Sequence, residues 1–421
     1  MNPTIKARIE KIKNGEVPEG YKRTKAGILP LDWEYGLLNQ AADKVTTKNR
    51  GKNFTKILTN SANEGIVSQT DYFDKQIANA DNIEGYYVVK KGYFVYNPRI
   101  SVAAPCGPIN CYHGEETGVM SPLYTVFSFN CRDVNISYIE YYFASSYWYK
   151  YMKSVANYGV RSDRMNLTDE DFFLLPIPMP PIAEQQKIAE ILATQDKVIE
   201  LKEKLLKEKQ RQKKYLMQQL LIGKKRLPGF SGEWVVSCLG ELFSERVETN
   251  CTDLRLLAIT GGQGVIPREQ LELKDNSSED KSKYKKICAG DIVYNTMRMW
   301  QGVSAFSYLE GIVSPAYTIL IPSTKIDAKF FACLFKLPRV IFLFYRYSQG
   351  LVDDTRNLKY ENLKRIRVLF PQDKKEQTAI AQILSTADRE IELLKKDIEQ
   401  EKLKKKSLMQ LLLTGIVRVV V

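Results

Sequence analysis

Hydrophobic positions recur at intervals of three and four along two stretches of this chain. In the first they are Ile188, Ile191, Leu192, Val198, Ile199, Leu201, Leu205, Leu206, Leu216, Leu220 and Leu221. In the second they are Ile380, Ile383, Leu384, Ile391, Leu393, Leu394, Ile398, Leu403, Leu408, Leu411 and Leu412. Lysine and glutamate fill the positions between, and the pattern predicts two long amphipathic helices of coiled-coil character. Residues 182 to 222 would span about 60 Å at about 1.5 Å per residue. Neither helix is stable alone in water, and the mate of matching pattern is the other copy. Antiparallel packing is expected, because a parallel pair would send both following segments to one end and lose the two-fold relation that a duplication suggests.

The two helices are copies of one unit. Pro180-Pro181-Ile182-Ala183-Glu184-Gln185-Gln186-Lys187 opens the first, and Pro371-Gln372-Asp373-Lys374-Lys375-Glu376-Gln377-Thr378 the second. Leu216-Met217-Gln218 and Leu408-Met409-Gln410 close them, and a constant 192 residues separates Glu184 from Glu376 and Gly223 from Gly415. That period is too long for a solenoid repeat. It implies a globular head followed by a long helix, present twice.

Within the heads the repeat is blurred. Gly92 to Asn97 corresponds to Gly290 to Asn295, each a turn glycine, a buried strand and an asparagine at its end. Gly118 to Phe127 and Gly311 to Leu320 share a Ser-Pro entrance and β-branched content that predict further strands. Aromatic-rich helical segments follow, Ile136 to Val155 and Ala328 to Tyr347. A glycine-centred loop then carries Arg161 and Arg164 in one head and Arg356 in the other, and short strands end at Pro178 and Phe370. A turn feeding a buried tryptophan, Trp33 or Trp234, opens each head. The boundaries implied are an arm over 1–23, a first head over 24–178, a helix over 179–225, a second head over 226–370 and a final helix over 371–421.

Composition narrows the function. The 421 residues suffice for at least two cores, and charged residues at 26% with hydrophobics at 44% are ordinary for a folded protein. A net charge of +13 favours a polyanionic partner. Seven cysteines at irregular spacings read as thiols of a reducing, cytoplasmic compartment. The start of the chain has no signal-peptide pattern, and no apolar run is long enough for a bilayer helix. His113 is the only histidine, so neither a histidine-based triad nor a zinc cluster is expected, and no cofactor is implied.

The proline-led Glu-Gln helices, the duplication and the flanking Tyr-Asn and Ser-Pro-x-Tyr elements together resemble the specificity subunit of bacterial type I restriction-modification systems, over essentially the whole chain. The resemblance implies an α+β fold in which two similar α/β target recognition domains are separated by two long helices packed as an antiparallel coiled coil, with pseudo-two-fold symmetry. It further implies a non-catalytic subunit that reads a bipartite, asymmetric double-stranded DNA target. Such a subunit docks two methyltransferase subunits, and restriction subunits join in the complete enzyme. The specificity subunit of another restriction-methylation class, or a structural coiled-coil scaffold, are the competing readings. The motifs agree with the lack of catalysis. Asn97-Pro98-Arg99 has one proline where an amino-methyltransferase motif needs two, and Gly223-Lys224-Lys225 stands without a phosphate-binding loop.

The candidate DNA contacts are Asn97, Arg99, Arg161 and Arg164 in the first head and Asn295, Arg298, Trp300 and Arg356 in the second. Arginine can fork onto guanine and asparagine onto adenine, or both can hold phosphate. The plainer readings are an asparagine that closes its own turn, solvated arginines, and ion pairs of Arg164 with Asp163 or Arg356 with Asp354. Tyr96, Tyr124, Tyr294 and Tyr317 read as core-edge residues. Lysines of the helices, Lys405 among them, are expected mainly on a solvated face, with some beside DNA. Glu184 and Glu376 fall in first helical turns, where a carboxylate complements exposed amides.

Overall fold

The computed structural model describes residues 3–72, 80–156, 163–260, 262, 264–271 and 278–420. It divides into two compact units: Met1–Leu201 with Ile398–Val421, and Lys202–Asp397. Each unit takes a part of each long helix. Among the described residues no helix is long and apolar enough to cross a membrane.

The long helices run Ile182–Leu220 and Lys374–Leu412, 39 residues each. Pro181 directly precedes the first, where a missing amide costs nothing, and Pro371 ends the strand that leads into the second. Both stop at a glycine in the left-handed region, Gly223 with φ +72° and Gly415 with φ +65°. A β-carbon on Gly415 would lie 2.5 Å from the Pro30 ring, so this end tolerates no side chain without displacing its neighbour.

In the first unit the start of one helix meets the end of the other: the Gln195 amide donates to Glu401 Oε2 at 2.7 Å, and Lys405 reaches Asp196 at 2.5 Å. In the second unit Lys202 pairs with Asp397 at 2.8 Å, Lys209 with Glu390 at 2.8 Å, and Lys213 with Asp388. Numbers rise on one helix as they fall on the other, so the pairing is antiparallel in each unit. Ile188, Leu192, Gln195 and Ile199 are buried on one helix, and Ile380, Leu384, Ile391 and Ile398 on the other. The seam is narrower than the hydrophobic pattern suggested. Leu201, Leu205, Leu393 and Leu403 are exposed, and Leu201 stands about 200° around the helix from Ile199 at about 100° per residue.

In the first unit two four-stranded sheets form the head. One has the order Gly65–Ser68, Ile57–Ser61, Gly118–Met120, Tyr87–Val89; the other Ala42–Lys44, Thr125–Phe129, Phe94–Tyr96, Ile109–Cys111. The second unit keeps one four-stranded sheet, Phe243–Arg246, Tyr317–Pro322, Ile292–Asn295, Ser304–Phe306, with smaller pairings beside it. In each unit the strand entering the head pairs antiparallel with the strand leaving it: Glu34–Leu37 with Pro176–Met179, and Trp234–Cys238 with Arg367–Pro371.

The aromatic segments each break into two helices, Ile136–Ala144 with Tyr149–Val155 and Ala328–Leu334 with Pro338–Tyr347. Ser145 turns the chain out of the first, and Pro338 begins a new helix in the second. Rings from these helices and from the strands around them build the cores. Phe94, Phe127, Phe143, Trp148 and Phe172 pack with Ile188, Leu192, Leu412 and Leu413 in the first unit. Phe243, Phe330, Phe331, Phe335 and Phe344 pack with Leu220, Leu221, Ile380 and Leu384 in the second. Trp33 is fully buried as expected, whereas Trp234 is only half-buried.

Glu184, Gln185, Glu376 and Gln377 are all buried, which the helix-capping reading did not anticipate. Gln185 Oε1 accepts from the Asn135 amide at 2.9 Å, and Gln377 Oε1 accepts from the Asp327 amide at 2.8 Å. Asn135 and Asp327 are themselves the N-caps of the first aromatic helix of each head. Each Gln Nε2 donates back to the proline before its helix, Pro180 at 2.8 Å and Pro371 at 2.9 Å. One glutamine per unit thus fixes the angle between long helix and head. The neighbouring glutamates accept forked arginines three residues past the helix-ending glycines, Arg418 on Glu184 and Arg226 on Glu376.

Candidate nucleic-acid interface

The strand Phe94–Tyr96 delivers Asn97 to the edge of the first head, and Ile292–Asn295 delivers Asn295 to the edge of the second. Both asparagines fold their side chains onto the following turn. Asn97 Oδ1 accepts from the Arg99 amide at 3.0 Å, and Asn295 Oδ1 accepts from the Met297 amide at 2.9 Å. Asn97 Nδ2 is also used, donating to the Asn60 carbonyl at 2.9 Å. Bidentate reading of adenine by Asn97 would cost both bonds, so its place is in the turn. Burial raises the pKa of the Tyr317 hydroxyl beside Asn295, while a hydrogen bond with Asn295 pulls it the other way. Tyr96 and Tyr294 are buried, Tyr124 and Tyr317 half-buried, as core-edge residues should be.

The residue after each asparagine accepts the same bond from the returning loop. The Met165 amide donates to the Pro98 carbonyl at 2.8 Å, and the Leu358 amide donates to the Thr296 carbonyl at 2.9 Å. This bond joins the two candidate elements of each head, the strand-end turn and the glycine loop. In the first head Arg99 and Arg164 form an antiparallel bridge through their backbones. Both are exposed, and among the described residues neither is in an ion pair. Two arginines on bridged backbone, lining a groove with no acidic residue, favour an anionic ligand. They line a groove of about 680 Å³ whose floor includes Asn60 and Tyr124. Asn60 is buried and held by bonds to Val95 and Pro108 carbonyls at 2.7 and 3.2 Å. The exposed apolar side chains Val102 and Leu123 border the same groove. Arg161 lies outside the described residues.

The second head is built differently. Arg298 is exposed at the start of the turn Met299–Gln301, whose Met299 is buried as its anchor. Lys336 donates to the Gly302 and Ser304 carbonyls at 2.7 and 2.6 Å, fixing the turn from behind. The Trp300 indole donates to the Met297 carbonyl at 3.0 Å and meets Tyr345 edge-on at 6.3 Å. The Arg356 guanidinium lies 4.0 Å from the Tyr345 ring centre, donates to its hydroxyl at 2.9 Å and pairs with Asp353 at 3.0 Å. The carboxylate partner is therefore Asp353, while the Asp354 side chain falls outside the described residues. Gly350, with φ +126°, brings its α-carbon so close to Thr355 that a β-carbon would sit 2.6 Å from the carbonyl oxygen. Trp300, Tyr345 and Arg356 thus form one cluster. Tyr345 was missed from sequence, because its register on the helix Pro338–Tyr347 is indistinguishable from that of its aromatic neighbours.

Several helix lysines are engaged with carboxylates, and Lys405 pairs with Asp196 and lies 5.5 Å from the Tyr141 ring centre. That contact assigns Lys405 to the helix pair.

Known proteins share this architecture. The family model described as the type I restriction modification DNA specificity domain matches residues 30–210 and again 231–402. The type I restriction enzyme MjaVIII specificity subunit of Methanocaldococcus jannaschii is 28% identical over 272 residues, covering 58% of this chain and 63% of that protein. The putative MjaX specificity subunit of the same organism is 23% identical over 427 residues, 95% of this chain and 97% of its own length. The crystal structure of the HsdS subunit from Thermoanaerobacter tengcongensis superposes with a TM-score of 0.53 at 16% identity, covering 92% of this chain and 98% of that one.

Proposed function

The chain belongs to the type I restriction-modification DNA specificity family, as a specificity subunit without catalytic chemistry of its own, and from that premise we propose that it reads a split, asymmetric double-stranded DNA target, one half-site per head. The observation that supports this reading is the turn built twice, with Asn97 and Asn295 folded inward and a loop tethered to the next carbonyl. Each copy leaves different side chains outside: Arg99 and Arg164 in one, Arg298 with the Trp300–Tyr345–Arg356 cluster in the other. A shared frame with dissimilar faces suits two different half-sites.

In this proposal the arginines make the phosphate and base-edge contacts, and the asparagines position them. The paired helices set the gap between half-sites and seat two methyltransferase subunits, to which restriction subunits add in the cytoplasm. Methyl transfer and any base flipping belong to those partners. Exchanging residues 24–178 for the same region of a related subunit tests the independence of the heads. One half of the recognised motif should change and the gap should stay fixed; a change in both halves would refute separate reading.

A further inference from the structure

We infer that Cys111, His113 and Glu140 form a binding site for a thiophilic divalent cation, of which zinc fits the donor set best. Cys111 ends the strand Ile109–Cys111. Pairing continues beyond it, since the Tyr112 amide donates to the Tyr93 carbonyl and the Gly92 amide to the Tyr112 carbonyl, each at 2.8 Å. In extended backbone residues two apart project to the same side, which sets His113 beside Cys111. Glu140 comes from the helix Ile136–Ala144 packed across that face, and its Oε1 lies 2.6 Å from His113 Nε2. One donor atom from each of the three lies within 4.8 Å of the others.

A thiolate, an imidazole and a carboxylate are the ligand types of zinc sites, whereas calcium and magnesium require mostly oxygen. At metal–donor distances of about 2.0–2.3 Å, tetrahedral donors stand roughly 3.3–3.8 Å apart. His113 and Glu140 would open by about 1 Å to admit the ion, and His113, whose side chain is 70% exposed, is free to do so. The thiol proton of Cys111 would pass to solvent, and His113 would bind through the ring nitrogen that carries no hydrogen. The fourth position faces a cavity of about 460 Å³ that Glu64 and Asn110 also line, leaving it to water or to Glu64. Lys56 borders this cavity but is paired with Glu116 at 3.2 Å.

The single histidine argued against a zinc cluster in the sequence. In this proposal the fold supplies sulfur and oxygen from residues near and far, which a count of histidines does not register. The site also bears on the head's proposed reading face, because Ile109–Cys111 pairs with Phe94–Tyr96, the strand that leads into Asn97. A bound ion would clip this strand to the helix Ile136–Ala144 and stiffen the turn that carries Arg99.

The test uses the full chain, reduced and stripped of metal with a chelator, titrated first with Co²⁺ and then with Zn²⁺ in competition. One Co²⁺ should bind per chain, with a thiolate-to-cobalt absorption band in the near ultraviolet that zinc abolishes. His113→Ala, a change at an exposed position, should keep the circular dichroism spectrum and weaken binding by about 100-fold or more. Cys111→Ser should remove the charge-transfer band. Absence of stoichiometric binding by the unaltered chain, or an affinity in His113→Ala and Glu140→Gln equal to that of the unaltered chain, would overturn the assignment.

Discussion

Trp33 donates its indole N–H to Glu184 Oε2 over 2.8 Å, across 151 residues of sequence. The same carboxylate accepts a fork from Arg418, Nε to Oε1 and Nη2 to Oε2, both at 2.8 Å. Arg418 then turns its remaining donors onto Asp32, with two bonds of 2.7 Å. The second unit keeps only part of this junction. Arg226 forks onto Glu376 at 2.7 and 2.8 Å, but its spare donor goes to the Gly232 carbonyl, and the Trp234 indole nitrogen has no partner among the described residues. In both units a buried glutamate at the start of one long helix is neutralised by an arginine just beyond the end of the other.

Removing the arginine from such a junction leaves a buried carboxylate short of its charge partner. Arg418→Ala and Arg226→Ala should each destabilise their own unit by about 2–3 kcal/mol, below the figure for fully buried pairs because both guanidinium groups are partly solvated. Arg418→Lys should recover only part, since an ammonium cannot reproduce the fork. Urea unfolding followed by tryptophan fluorescence checks this; an Arg418→Ala midpoint equal to that of the unaltered chain would show that Glu184 is satisfied without it.

Acid should weaken the first junction through Asp32. The Arg418 hydrogen bond holds the Asp32 carboxyl below its ordinary pKa. A depressed folded-state pKa means that the stabilisation is fully present above the unfolded value of about 3.9 and is lost as pH falls through the folded one. The Asp32 side chain is largely exposed, so the effect should be no more than about 1 kcal/mol. Stability measured from pH 6 down to pH 3 should fall less steeply in Asp32→Asn than in the unaltered chain, and parallel curves would remove Asp32 from the account.

Cysteines placed at Asp196 and Lys405, in a chain cleared of its seven native cysteines, should be joined efficiently by a short bis-maleimide, because these residues already touch at 2.5 Å. Cysteines at Asp196 and Asp388, one repeat apart, should not be joined. The reverse preference would show parallel helices.

Arg298 and Lys405 should separate in DNA binding. Arg298 is exposed on its turn, and its loss should weaken binding of the methyltransferase-bound complex to its own site by about 1–3 kcal/mol if it reads a base edge. Lys405 is committed to Asp196, so Lys405→Ala should leave both affinity and the salt slope nearly unchanged. A salt series with the assembled complex distinguishes them: a silent Arg298→Ala would make that residue a solvated turn arginine, and a salt slope reduced by about 1 in Lys405→Ala would place it on a phosphate.

The parts legible in the sequence were those written by local pattern. The periodicity of Ile188, Leu192 and Ile199 carried the helices, and Gly223 and Gly415 carried their ends. The strands before Asn97 and Asn295 were legible from a turn glycine followed by a short apolar run. What stayed hidden depended on partners far along the chain. Nothing near Glu184 announces Trp33 or Arg418, and nothing near Cys111 announces Glu140. Tyr345 is one aromatic among several until Arg356 is seen lying over it. The narrow seam was hidden for another reason, since leucine at Leu201 and Leu403 is as favourable to a helix in water as to one in a core.

The most direct measurement is the map of methylated bases across the genome of a methylation-free host that expresses this chain with its methyltransferase partner. One asymmetric motif should appear, split into two parts by a fixed run of unspecified bases. A single uninterrupted motif, or no methylation where the assembled complex is confirmed, would contradict two heads reading two half-sites.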